Sequence, residues 1–126
     1  DVGAMVEMPG GGLTTLAKTI QDRPVDTKRV IRSLQMAKEE IRKSKPKSLD
    51  LIVKLLCMDR EAASETYDHF LTTLSPTGVP TRVGMDILVK SVQSQGRHVD
   101  RKVAFTDIAD DRLATEVARE MGYKIP

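Results

Sequence analysis

The chain has 126 residues, 40% hydrophobic and 30% charged, which is the length and composition of one globular domain. A net charge of +2 and an aromatic content of 3% exclude a strongly basic surface with aromatic side chains for stacking bases. With no Trp and few aromatic residues, the core must be aliphatic, which favours packed helices over a sheet sandwich. No apolar run approaches the roughly 18 residues that predict a membrane-spanning helix.

The N-terminal segment has the pattern of two short strands around a glycine turn. Residues 3–8 predict a strand that ends at Pro9 and the following three glycines, and residues 13–16 predict a second strand. Because the rest of the chain offers few partner strands, we expect residues 1–126 to form a single domain that is the C-terminal portion of a larger protein. Residues 17–23 predict a helical turn that stops before Pro24.

The remaining residues have helical periodicity. It predicts five helices, over 26–44, 48–58, 60–74, 81–95 and 108–121. The predicted N-caps are Asp26, Ser48, Asp59 and Thr81, and glycines 96 and 122 suit helix ends in the left-handed conformation.

Two of these helices carry more apolar surface than a bundle of this size can cover. The first has apolar residues at helical spacing, namely Val30, Leu34, Ala37 and Ile41. Residues 49–58 are apolar on most sides, which predicts burial, and they include Cys57, the only cysteine. A single thiol excludes an internal disulfide and a zinc site built from several thiolates, and this apolar setting predicts a buried structural thiol.

The glycine run Gly10-Gly11-Gly12 has two interpretations. It could be a loop whose backbone approaches an anionic ligand, or a hinge between strands, and local sequence favours the hinge. It matches neither the P-loop nor the dinucleotide-binding pattern.

No catalytic or metal-binding constellation stands out elsewhere. His69 and His98 do not have the spacing of a metal pair. The acidic residues near the last helix, at 107, 110 and 111, lack the alternation and closing Glu of a calcium loop. First-turn acids that interact favourably with the helix dipole explain them better.

The order of these segments resembles the C-terminal part of periplasmic substrate-binding proteins of the nitrate/sulfonate/taurine class of ABC importers, a group that includes binders of thiamine-pyrimidine precursors. Three stretches carry the likeness. They are residues 7–9 with 11–15 and 20–24, residues 30–41 with 45–46 and 59–63, and Tyr67 with 74–78, 84–85 and 103–108. The likeness covers nearly the whole chain through order and spacing, and no single motif in it is diagnostic.

This resemblance implies a mostly α fragment, about five helices and one or two short N-terminal strands, of a two-lobed α/β fold that closes on a solute. It implies capture of a small solute and delivery to an ABC permease, without catalysis or a cofactor, in the periplasm or outside the cell, with or without a lipid anchor. The residues expected to line the ligand are Glu7, Gly10, Gly11, Gly12 and Thr14.

Two other classes stay open at this stage. One is a helical protein-interaction module that holds a partner helix in a groove. The other is a pyrimidine-synthesis-type enzyme that shares the binding-protein fold and needs a catalytic His or Cys near the cleft. We expect no nucleic-acid partner. We also expect the isolated chain to form a homodimer through its N-terminal segment and the neighbouring helix faces, because uncovered apolar surface tends to associate.

Overall fold

A computed structural model describes residues 9–125, which consist of helices and their connections. Helices make up 67% of these residues, and none of them lies in a strand. In chain order the helices are α1 (Ala17–Asp22), α2 (Pro24–Lys43), α3 (Lys45–Leu56), α4 (Arg60–Thr73), α5 (Arg82–Ser94), α6 (Phe105–Ile108) and α7 (Arg112–Glu120).

The N-terminal segment differs from its prediction. Residues 9–16 are neither helix nor strand, so the predicted strand at 13–16 is wrong. The β-branched pattern alone was insufficient, because a strand needs a hydrogen-bonding partner and residues 9–125 provide none. The other predicted strand, at 3–8, lies outside the described residues. The helical turn predicted over 17–23 is confirmed as α1.

The five predicted helices are confirmed, with corrections at three N-termini. The Asp59 carboxylate accepts hydrogen bonds from the amides of Glu61 (3.0 Å) and Ala62 (2.9 Å), and Thr81 caps α5 in the same way. Asp26 and Ser48 are not caps, because α2 and α3 begin earlier with a proline in the first turn. Proline suits that position, since its φ is already helical and its missing N–H has no partner to lose.

The predicted C-terminal helix, 108–121, begins later than expected, and a separate short helix that was not predicted precedes it. α6 ends at Ile108 and α7 begins at Arg112, with an aspartate pair between them. The predicted glycine ends are confirmed, because Gly96 (φ 77°) and Gly122 (φ 83°) both adopt the left-handed conformation.

One apolar cluster joins α3 and α4. Leu49, Ala63 and Tyr67 are buried there, and partly buried side chains from α2, α3 and α4 surround them. The Tyr67 hydroxyl donates a 2.7 Å hydrogen bond to the backbone oxygen of Ile41, so the polar end of this ring is also satisfied.

A second packed region joins α2 to α7. Val117 and Ala118 are fully buried in α7, which packs on α2. Charges surround this contact: Lys28 pairs with Glu120 (2.6 Å) and Glu116 (3.1 Å), and Arg32 also pairs with Glu120. Sequence-distant segments therefore meet on α2.

Helix α2 buries polar side chains and exposes apolar ones, which is the reverse of the usual arrangement. Gln35 and Lys38 are only 4% and 9% exposed, whereas Val30 and Leu34 are 47% and 53% exposed. Burial of polar side chains is costly unless they are hydrogen-bonded, and exposed apolar side chains in one row are typical of a surface that contacts something else. We call Val30, Leu34, Ala37 and Ile41 the α2 stripe; Ala37 is also exposed, and Ile41 is partly buried.

The prediction that residues 49–58 are buried is wrong for several of their apolar side chains. Leu51, Leu55 and Leu56 are exposed, while Leu49 is buried. Cys57 is also exposed, which corrects the expectation of a buried thiol, and it ends α3 in a left-handed conformation with φ 53°.

Candidate functional site

Nothing in the structure of residues 9–125 requires glycine at the three glycine positions of the N-terminal segment. None of the three has a left-handed backbone, and a side-chain carbon placed at Gly10, Gly11 or Gly12 would meet nothing within 4 Å. Neither a tight turn nor close packing therefore explains the run. These residues are exposed, and their backbone is accessible to groups outside residues 9–125.

Thr14 lies beside the beginning of α2, at the edge of a shallow depression of about 300 Å³. The lining combines threonine hydroxyls, one ion pair and two apolar side chains: Leu13, Thr14, Thr15, Thr19, Arg23, Asp26, Thr27 and Val30. Of the predicted ligand-lining residues, the structure therefore places Thr14 in a depression and leaves the three glycines outside its lining. Glu7 lies outside the described residues.

Two guanidinium groups share one carboxylate at this depression. The Arg23 guanidinium lies 2.9 Å from one carboxylate oxygen of Asp26, and Arg29 lies 3.2 Å from the other. Thr27 is buried, and its hydroxyl donates to the backbone oxygen of Arg23 (2.9 Å). Of the other threonines, Thr14 and Thr15 are exposed and Thr19 is half-buried; each hydroxyl can both donate and accept hydrogen bonds.

The polar side of α2 binds the turn that follows α4, at residues 74–78. Three α2 side chains reach four successive backbone oxygens: Arg42 reaches Leu74, Lys38 reaches Ser75 and Pro76, and Gln35 reaches Thr77. We call this set the carbonyl clamp. Cations suit this place because carbonyl groups at a helix C-terminus carry partial negative charge. The clamp accounts for the burial of Gln35 and Lys38, which sequence reasoning missed.

A second depression, of about 200 Å³, lies where α5, α6 and α7 meet. The Arg82 guanidinium lies 4.6 Å from the centroid of the buried Phe105 ring. Across the depression, Arg112 contacts Asp110 through two hydrogen bonds of 3.0 and 2.6 Å. That contact with Arg112 lowers the pKa of Asp110 and raises the pKa of Arg112. Asp110 also accepts a 3.1 Å hydrogen bond from the backbone amide of Arg112, the first residue of α7, so it serves both the ion pair and the N-terminus of that helix.

Among residues 9–125, no group of three or more His, Cys, Asp or Glu side chains has an arrangement that could hold a metal ion. Within the same residues, no helix has both the length and the hydropathy to cross a membrane. Comparisons with protein-family models, curated proteins and solved structures gave no match to this chain. These comparisons therefore provide no independent support for the resemblance in segment order.

Proposed function

We propose that this chain is part of a solute-binding protein of an ABC importer, in which it forms a helical layer and part of one cleft wall. The solute is a small molecule of the nitrate, sulfonate, taurine or pyrimidine-precursor kind, which is passed to a membrane permease without chemical change. The setting is periplasmic or extracellular. The proposal is based on the resemblance in segment order, and the following features of the structure support it.

The exposed part of the α2 stripe, Val30, Leu34 and Ala37, is the observation that supports the proposal best. Helices that cover a parallel sheet turn their apolar residues toward the sheet, so they expose them when the sheet is absent. Val30 and Leu34 are about half exposed, and Leu51 and Leu55 of α3 are exposed as well. The polar side of α2 is already occupied by the carbonyl clamp, so the stripe is the side of α2 available to a second layer.

The N-terminal segment is the second support. A cleft wall needs an accessible backbone and polar groups that face the solute. Gly10, Gly11 and Gly12 provide an unobstructed backbone, and Thr14 and Thr15 provide exposed hydroxyls beside α2. The depression is shallow, which fits one wall of a cleft that a second lobe completes.

A helical interaction module is the second candidate, because the same stripe has the spacing by which a helix is recognised in a groove. In that case a protein segment would cover Val30 and Leu34, and no solute would be bound. The two candidates differ in what surrounds the chain and in what it binds.

The test uses the longer chain that the proposal requires, with an upstream α/β lobe preceding Asp1. Calorimetric titration with nitrate, taurine and an aminopyrimidine should show micromolar binding of one of them, and Thr14→Val should weaken it at least threefold. Thr66→Val is the matched control, since Thr66 is an exposed threonine of α4, far in sequence from the depression. The 126-residue chain alone should bind none of the three tightly.

Two outcomes would contradict the proposal. One is an upstream sequence without an α/β lobe, which would favour the interaction module. The other is micromolar solute binding by the 126-residue chain itself, which would show that its site is complete without a second lobe.

A further inference from the structure

Lys38 contacts two parts of the chain that are far apart in sequence. Its ammonium donates hydrogen bonds to the backbone oxygens of Ser75 (3.0 Å) and Pro76 (2.9 Å). The same nitrogen lies 5.2 Å from the centroid of the Tyr123 ring. Since the side chain is only 9% exposed, these groups replace most of the water around its charge.

Tyr123 is held on α2 through both ends of its side chain. The ring faces Lys38, and the hydroxyl donates a 2.6 Å hydrogen bond to a carboxylate oxygen of Glu39. This bond to Glu39 raises the pKa of Tyr123. Lys38 is the residue of the carbonyl clamp that contacts both the turn at 74–78 and the Tyr123 ring, while Gln35 and Arg42 also hold the turn on α2.

We propose that Lys38 is a coupling residue, through which the turn at 74–78 and the C-terminal segment 121–125 separate from α2 together. The reason is that one ammonium group serves both. When the Tyr123 ring leaves, water reaches the ammonium and competes with the carbonyls of Ser75 and Pro76. When the turn leaves, the ammonium regains water and its attraction to the ring weakens.

The turn has its own reporters for this coupling. The Gly78 amide donates to the Ser75 hydroxyl (2.9 Å), and the Val79 amide donates to the Thr77 hydroxyl (3.2 Å). Both acceptors are hydroxyls of the turn at 74–78, so amide exchange at Gly78 and Val79 measures local opening of this turn.

The experiment measures amide hydrogen exchange by NMR in the 126-residue chain. Tyr123→Leu should accelerate exchange at Gly78 and Val79 about twofold to tenfold, since it removes the ring from Lys38. Tyr123→Phe keeps the ring and loses only the bond to Glu39, so it should leave these two amides within twofold of the parent. Lys38→Met should accelerate exchange in the turn and in 121–125, and adding Tyr123→Leu to it should change the turn no further.

Lys28→Met is the matched control on the same helix, because Lys28 pairs with α7 and not with the turn. It should accelerate exchange in α7 alone. The proposal is overturned if Tyr123→Leu accelerates only the C-terminal segment, or if Tyr123→Phe affects the turn as strongly as Tyr123→Leu. Should Lys38→Met fail to fold, the comparison of the two Tyr123 variants still decides.

Discussion

The side-chain amide of Gln35 occupies the space beside Gly78 that any larger residue would need. A side-chain carbon at Gly78 would lie 3.0 Å from the Gln35 Cδ atom and closer still to its amide nitrogen. Gly78 also has a φ of 68°, in the region that favours glycine. Two causes therefore favour glycine here, and Gln35 creates one of them by reaching the backbone oxygen of Thr77.

Replacing this glycine should cost more than replacing another glycine of similar conformation. Gly78→Ala should lower the free energy of unfolding by about 2–3 kcal/mol, from backbone strain plus displacement of the Gln35 hydrogen bond. Gly96→Ala is the matched control, since Gly96 has a φ of 77° and nothing within 4 Å of the added carbon. Urea denaturation measures both, and equal losses would show that Gln35 contributes nothing.

The contact between α2 and α7 should weaken in acid. The hydrogen bond from Lys28, with the neighbouring Arg32, lowers the pKa of Glu120. A carboxyl whose folded-state pKa is depressed stabilises the fold above its unfolded pKa, and this contribution is lost as the pH falls through the folded value. Glu120→Gln should therefore be less stable at pH 7, and its stability should change less between pH 7 and pH 3.

Glu65→Gln is the control for this pH dependence, because Glu65 is exposed and makes no ion pair among the described residues. Its stability should follow the parent chain at every pH. If Glu120→Gln also follows the parent between pH 7 and pH 3, the ion pairs around Glu120 do not contribute to acid sensitivity.

The uncovered α2 stripe should make the 126-residue chain self-associate. Val30 and Leu34 of the stripe are 47% and 53% exposed, and Leu13 and Leu16 of the N-terminal segment are 50% and 74% exposed; exposed apolar side chains of this kind favour association. We expect a dimer in sedimentation velocity at high micromolar concentration, weakened at least tenfold by Leu34→Lys and also weakened by deletion of residues 1–12. Val83→Lys, at an exposed apolar site on α5, should leave it unchanged.

A parent chain that stays monomeric at that concentration would contradict this expectation. It would mean that the stripe tolerates water. In that case the bare stripe would no longer support the proposal that a second layer of protein covers it.

The start of α4 provides a test of local helix stabilisation. Asp59→Ala should lower the free energy of unfolding by about 1 kcal/mol, because the carboxylate satisfies two amides that otherwise lack partners. Asp86→Ala, at an exposed aspartate within α5, is the control and should change stability by less than about 0.5 kcal/mol. Thermal unfolding followed by circular dichroism measures both, and a null effect of Asp59→Ala would show that water caps α4 equally well.

Much of the helical architecture was predictable because its signals are local. The Asp59 and Thr81 caps, the Gly96 and Gly122 ends and the α1 turn each depend on a few neighbouring residues. The assignment of Asp26 and Ser48 as N-caps was wrong. A helix can begin at a proline or at a polar cap a few residues later, and the local pattern does not show which start is used.

The burial of the polar side of α2 could not be predicted from the sequence of that helix. Periodicity identifies an apolar side, and burial is normally assigned to it. Here the turn at 74–78 presents four carbonyls in a row, and the polar side of α2 binds them, so Gln35 and Lys38 are buried. That pairing joins residues more than 30 positions apart, beyond the reach of any local rule. Prediction of the candidate site from sequence has the same limit. Thr14 and residues of α2 line one depression only because the folded chain brings them together.

The position of Cys57 has a practical consequence for the exposed side of α3. It is the only thiol in the sequence, it is exposed, and it directly follows Leu55 and Leu56, which are 71% and 61% exposed. An environment-sensitive fluorophore attached there would sit beside the uncovered leucines without any engineered mutation. A blue shift of its emission on mixing with another protein, or with a second lobe, would report the moment when that side of the helix leaves water.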